Sequence, residues 1–229
     1  MSATVWGWMS ALGALDTAAL PSPWLMRWSL CLGWGVVLAW AGAALAQALP
    51  RRGRLAVAAL LFAWCWVPGP LAPVHWLGLA FQMPSNSTVL LCAVLLQAQC
   101  FPAAQGLVPE PRAVHRGVLW LAALGVVAGW LLLLDTLAWL PVPWYAWGFS
   151  PLASGLVWLV TVLPWVLGPG PQSLGRVGWV APLAVVVFVV LRLPTGNVWD
   201  AVLDPWLWVA LHVYAVRVLW RGRRAAVSA

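Results

Sequence analysis

The 229 residues are 64% hydrophobic and only 7% charged, with a mean hydropathy of +0.91, whereas an ordinary soluble domain carries about 25% charged residues. A water-soluble globule is excluded. The formal charge of +7 comes from twelve arginines, with no lysine, set against Asp16, Glu110, Asp135, Asp200 and Asp204; the arginines stand in ones to threes between apolar segments rather than on one polar face, which argues against a nucleic-acid partner.

At the start of the chain Val5–Leu15 is apolar, but no arginine precedes it, so the basic start of a cleavable signal peptide is missing. With Trp6, Trp8 and Asp16 it reads as a helix lying in the interface, part of an external segment 1–23. Apolar segments follow at Trp24–Leu49, Leu55–Phe81, Thr88–Leu107, Gly117–Leu140, Leu152–Leu167, Val177–Leu193 and Trp206–Trp220. The expectation is an all-α, polytopic transmembrane helical bundle of about seven spans, forming one integral membrane domain over 24–220 and ending in a basic tail, 221–229. Six spans result if Leu55–Leu107 is arranged differently. The last three segments reach only about 22 to 26 Å, short of a core of about 30 Å, so flanking Trp and Arg or local thinning must cover the difference.

Charge tests the count independently. Arg51, Arg52 and Arg54 follow segment one, Arg112 and Arg116 follow segment three, Arg176 follows segment five, and Arg221, Arg223 and Arg224 lie in the tail. The intervening loops, Gln82–Ser87, Pro141–Pro151 and Pro194–Pro205, contain no arginine. This alternation predicts an external N-terminus and a cytoplasmic C-terminus, with the chain in the inner membrane of a cell.

Ser22-Pro23-Trp24, Ser150-Pro151-Leu152 and Asp204-Pro205-Trp206 each place an N-capping oxygen before a proline suited to the first helical position. Each opens a segment running from outside to inside; segment three departs from the pattern, with Pro84-Ser85. Segment two is interrupted by Pro68-Gly69-Pro70 and Pro73 and must kink or break there. It reads either as one tilted broken helix or as a short span, Leu55–Val67, followed by a half-helix, Leu71–Phe81. Irregular backbone at membrane depth survives only where protein or a wet cavity covers it.

About half of the 21 tryptophans fall at outer segment ends, as in an aromatic belt, while Trp64, Trp66, Trp130 and Trp158 sit mid-segment as packing residues or stacking surfaces for a flat ligand. Cys31, Cys65, Cys92 and Cys100 lack metal-ligand spacing and read as small buried hydrophobes. No catalytic motif appears: no H-E-x-x-H, no G-x-S-x-G, no Walker loop. Gly168-Pro169-Gly170-Pro171 is a turn, Gly125-x-x-x-Gly129 is a candidate close-packing face, and Asn86-Ser87-Thr88 matches a glycosylation sequon in an outside loop.

Ionisable residues within apolar segments carry the functional argument, because each costs about 2.5 kcal/mol or more at the membrane centre unless paired or wetted. Arg27, Arg192 and Arg217 lie near enough to segment ends to snorkel, and His115 belongs to a basic loop. His75, Asp135 and His212 remain, all at similar depth in the outer leaflet, about 8 to 9 Å below the outer ends of their segments. The expectation is that they converge on one cavity roofed by Trp76, Trp139 and Trp208, as a ligand site or, through the two histidines, a haem or metal site. The bland alternative is a local hydrogen bond for each. Asp204, Trp208 and His212 share one stripe, Asp200 is a candidate cap for a turn over Trp199–Leu203, and Gln97 and Gln99 are candidate helix crosslinks.

Three functional classes stay open. A non-catalytic accessory or assembly subunit of a larger membrane complex is favoured by the missing catalytic motifs, bulky apolar faces and arginine-bearing ends. A small transporter or ligand-binding component would use the broken segment and the outer-leaflet trio. A haem- or quinone-associated redox protein would rest on His75 and His212. The partners expected in common are the lipid bilayer and other membrane subunits.

Overall fold

The computed structural model describes residues 20–101, 111–167 and 176–227. The expected interfacial helix of the N-terminal segment, the Gly168–Pro171 turn and the side chains of Arg112, His115, Arg116, Arg176 and the tail arginines lie outside the described residues. Ten α-helices are described: α1 (Pro23–Leu45), α2 (Arg51–Trp64), α3 (Pro73–Phe81), α4 (Asn86–Cys100), α5 (Pro111–Thr136), α6 (Trp144–Trp147), α7 (Pro151–Leu167), α8 (Val180–Leu191), α9 (Val198–Val202) and α10 (Pro205–Val227). No strand occurs among the described residues. Two stretches are long and apolar enough to cross a membrane, α1 and Gly117–Thr136 of α5; the apolar helices Asn86–Cys100, Pro151–Leu167 and Val177–Leu191 are shorter.

The helix starts follow from local hydrogen bonding. Ser22 Oγ accepts the N–H of Leu25 at 3.3 Å, Ser150 Oγ that of Ala153 at 3.2 Å, and Asp204 Oδ1 that of Leu207 at 2.8 Å. Pro23, Pro151 and Pro205 occupy the first helical positions, where a missing N–H costs nothing. Helix α4 has a cap of the same chemistry, with Ser85 Oγ accepting from Thr88 N at 3.1 Å. The short helix α9 is capped by Asn197, whose Oδ1 accepts from Trp199 N at 3.0 Å, whereas Asp200 accepts from the Thr195 hydroxyl and so braces the preceding turn.

The Pro68–Pro73 stretch breaks its segment into α2 and α3, with Cys65–Ala72 between them in turns. Carbonyls that leave the helical ladder need other donors, and indole groups supply them. Trp64 Nε1 donates to the carbonyl of Leu71 at 2.9 Å, and Trp76 Nε1 to that of Pro70 at 2.8 Å. At the far end of α3, where Gln82 takes φ 59°, its carbonyl accepts from Trp34 Nε1 at 2.7 Å.

The described helices group into two compact units. One contains residues 19–108 and 183–202. In it α1 packs on α2 and α4 around small buried residues: Ala39, Ala43, Ala58 and Cys100 near one end, Trp34, Cys65, Ala72 and Val74 near the other. Close approach is set by glycine: a Cβ on Gly42 would lie 2.2 Å from Leu61 Cδ1, and one on Gly35 would lie 2.9 Å from the Phe62 ring. Asn86, buried at the start of α4, donates from Nδ2 to the carbonyls of Ala184 and Leu193, at 3.4 and 3.0 Å.

The other unit contains residues 109–182 and 203–229, with α10 packed on α5. Gly125-x-x-x-Gly129 forms a notch filled from within the chain: a Cβ on Gly125 would lie 2.6 Å from Leu211 Cδ1, and one on Gly129 would lie 2.3 Å from the Trp208 indole. Gly129→Val should therefore overpack this contact and cost about 1–3 kcal/mol in reversible unfolding from detergent micelles. Gly155→Ala, in an exposed helix interior where a new Cβ meets nothing within 4 Å, should instead raise stability by about 1 kcal/mol.

Candidate functional site

Each of the polar residues singled out within apolar segments has neighbours of its own. On α10, Trp208 and His212 are one helical turn apart and face α5. Trp208 enters the Gly129 notch, and its Nε1 approaches the carbonyl of Val126 at 3.2 Å. The glycine leaves room for this ring, and Trp130 next to it supplies the partner for the histidine: Trp130 Nε1 donates to His212 Nε2 at 3.2 Å. An indole nitrogen only donates, so Nε2 must accept and the proton sits on Nδ1. That Nδ1–H in turn donates to the Trp208 carbonyl at 2.8 Å. Both ring nitrogens of His212 are thus engaged within the chain, in one neutral tautomer.

The three rings stand edge to face. Centroids lie 5.2 Å apart for Trp130 and Trp208, 4.8 Å for Trp208 and His212, and 6.2 Å for Trp130 and His212, at interplanar angles of 76° to 87°. Such pairs add about 0.5–1.5 kcal/mol beyond area burial. The Asp204–Trp208–His212 stripe therefore serves two ends: its first member caps α10, and the other two lock α10 to α5.

Asp135, near the end of α5, accepts the backbone N–H of Tyr145 through Oδ2 at 2.7 Å. Tyr145 lies in the first turn of α6, whose own N-cap, Pro143, offers no side-chain acceptor. A carboxylate from ten residues upstream thus does the capping, a placement the helix dipole favours.

His75 is placed on α3, in the unit that contains neither Asp135 nor His212. Its ring is exposed and meets Trp76 edge-on at 5.1 Å. Trp76 belongs to the broken segment through its bond to Pro70, and Trp139 is 73% exposed beyond α5. Of the six residues expected around one cavity, the structure joins Trp208 with His212 and, separately, His75 with Trp76. No group of three or more His, Cys, Asp or Glu able to hold a metal occurs among the described residues.

Sequence reasoning passed over Trp130 as a partner for His212, although its place beside Gly129 was a signal for it. It gave Asn86 only a sequon's meaning. The Asn86 amide nitrogen is buried and donating to two carbonyls, an anchoring role that a glycan would abolish. Of the expected glutamine crosslinks, Gln99 is placed with a buried Oε1 that accepts no hydrogen bond. All four cysteines are free thiols, three of them buried.

Comparison with known protein families, with curated proteins and with solved structures matches this chain to none of them.

If Trp130 and His212 act as one unit, Trp130→Phe and His212→Phe should be non-additive. A double-mutant cycle in micelle unfolding should give a coupling of about 0.5–1.5 kcal/mol. Trp139→Phe combined with either should give additive losses.

Proposed function

We propose that this chain is a multi-pass inner-membrane protein with an external N-terminus and a cytoplasmic C-terminus, acting as a non-catalytic accessory or assembly subunit of a larger membrane complex. The observation that carries this reading is the inversion of size between inside and outside. Its buried residues are mostly Gly, Ala, Cys, Ser and Asn, while Leu45, Leu79, Trp139, Val166, Leu167 and Val190 are each more than 70% exposed. Small residues inside and large apolar ones outside suit helices that associate in lipid, where close backbone approach replaces hydrophobic collapse. Exposed apolar surface on this scale calls for acyl chains or neighbouring subunits to cover it.

The alternation of arginine-bearing and arginine-free loops supports the orientation. The commitments of His212 and Asp135 favour an accessory role over a haem or ligand site. A metal bond to His212 Nε2 would displace Trp130, and one to Nδ1 would release the Trp208 carbonyl.

Two measurements test the reading. Reporter fusions at Gly53 and Gly170 should read cytoplasmic, and fusions at Ser87, Ala146 and Gly196 external; two contrary fusions would remove the seven-span arrangement. Native purification in mild detergent followed by mass spectrometry should return stoichiometric membrane partner chains. A Soret band or a bound metabolite without partners would instead support the redox or transport alternatives.

A further inference from the structure

We infer that the cleft between α1, α2 and α4 is a binding site for an anionic phospholipid, with one acyl chain along α2 and the phosphate at the Arg51–Arg54 turn. The proposal rests on the membrane reading above, in which this turn faces the cytoplasm.

The cleft has a volume of about 370 Å³ and is lined by Val36 and Ala39 of α1, Leu55, Ala59 and Phe62 of α2, and Leu96 of α4. All of these lining residues belong to one of the two compact units, so the site lies within one body. Leu55, Ala59 and Phe62 follow Arg51 at steps of four, four and three residues, which puts all of them on one face of α2. From Arg51 to Phe62 that face runs roughly 16 Å. It begins at a guanidinium and continues through small apolar groups, the order in which a phospholipid presents phosphate and then chain.

Charge selects the sign of the occupant. The first turn of α2 holds Arg51, Arg52 and Arg54 and no acidic residue, and its N-cap, Pro50, has no side-chain acceptor. Three cations therefore stand at the helix end whose dipole is itself positive, an arrangement that a phosphate would relieve. Arg54 Nε is buried and makes no hydrogen bond among the described residues. Arg51 lies over the Phe101 ring, 4.7 Å from its centroid, and Phe101 also lines the cleft, so the charged mouth and the apolar wall are one continuous surface. A helix from another subunit would fill the apolar part but would leave the arginines unmatched. Guanidinium groups near a membrane surface that converge on a phosphate are the ordinary basis of anionic-lipid selection.

The test uses the full chain reconstituted in phosphatidylcholine vesicles with or without phosphatidylglycerol, then released into mild detergent for native mass spectrometry. The native protein should enter both vesicles and retain phosphatidylglycerol, not phosphatidylcholine, as a bound adduct. R51Q/R52Q/R54Q should lose that adduct on the order of tenfold or more, and its Lys counterpart, R51K/R52K/R54K, should keep part of it. Ala59→Trp, which fills the cleft from an exposed position and leaves every arginine in place, should lose it as well. Glycerol 1-phosphate in excess should not displace it, since the chain contributes to binding. Retention of both lipids alike, retention undiminished in the glutamine variant, or displacement by glycerol 1-phosphate would overturn the site. Unchanged lipid retention in Ala59→Trp together with loss of a co-purifying chain would show that the cleft seats a helix instead. A native protein that enters neither vesicle would overturn the membrane reading and this inference with it.

Discussion

A backbone carbonyl that leaves a helix needs a donor, and this chain has few side chains able to provide one. Tryptophan fills the gap. Its indole N–H is a donor carried on a ring that is itself at ease in apolar surroundings. Trp64 and Trp76 satisfy carbonyls inside the Pro68–Pro73 break, and Trp34 satisfies the carbonyl of Gln82 where the following helix ends in left-handed backbone. With Lys absent and the arginines concentrated at segment ends, these indoles allow irregular backbone to persist among apolar helices. The broken segment depends on them, and the α1–α2–α4 packing is built around that segment.

Close packing is the second consequence of a chain poor in polar groups. Where no directed interaction is available, helices must gain contact by approaching, and glycine permits it at Gly35 and Gly42 in one unit and at Gly125 and Gly129 in the other. The Gly129 notch does more than shorten a distance. It admits the Trp208 ring, and Trp208 together with Trp130 then fixes His212 by two hydrogen bonds and two edge-to-face contacts. A histidine that looks like a ligand along the sequence becomes the keystone of a helix pair.

What was legible in the sequence was local. Ser22, Ser150 and Asp204 cap helices because a capping bond spans three residues and the proline beside each fixes the helical start. The Pro-Gly-Pro break and the small-residue face of α5 were equally plain. Contacts between distant segments were not. Asn86 finds the carbonyl of Leu193 across 107 positions, and Trp130 finds His212 across 82. Spacing along the sequence carries no azimuth for His75, Asp135 and His212. Azimuth decides that His75 stands exposed beside Trp76 while His212 turns toward Trp130. Asp135 found a backbone N–H in a helix of four residues, too short for periodicity to reveal.

The claim that indole donors hold the broken segment together is tested most directly by Trp34→Phe, which keeps a ring in the core and deletes the N–H that Gln82 accepts from. Reversible unfolding from lipid micelles should show a loss of about 1–2 kcal/mol, the cost of a part-buried carbonyl left without its donor. Trp28→Phe is the control, since Trp28 meets Trp24 and Trp66 through its ring; its loss should stay within about 0.5 kcal/mol. Equal losses for the two variants would contradict the account, because ring volume rather than hydrogen bonding would then be what the tryptophans contribute.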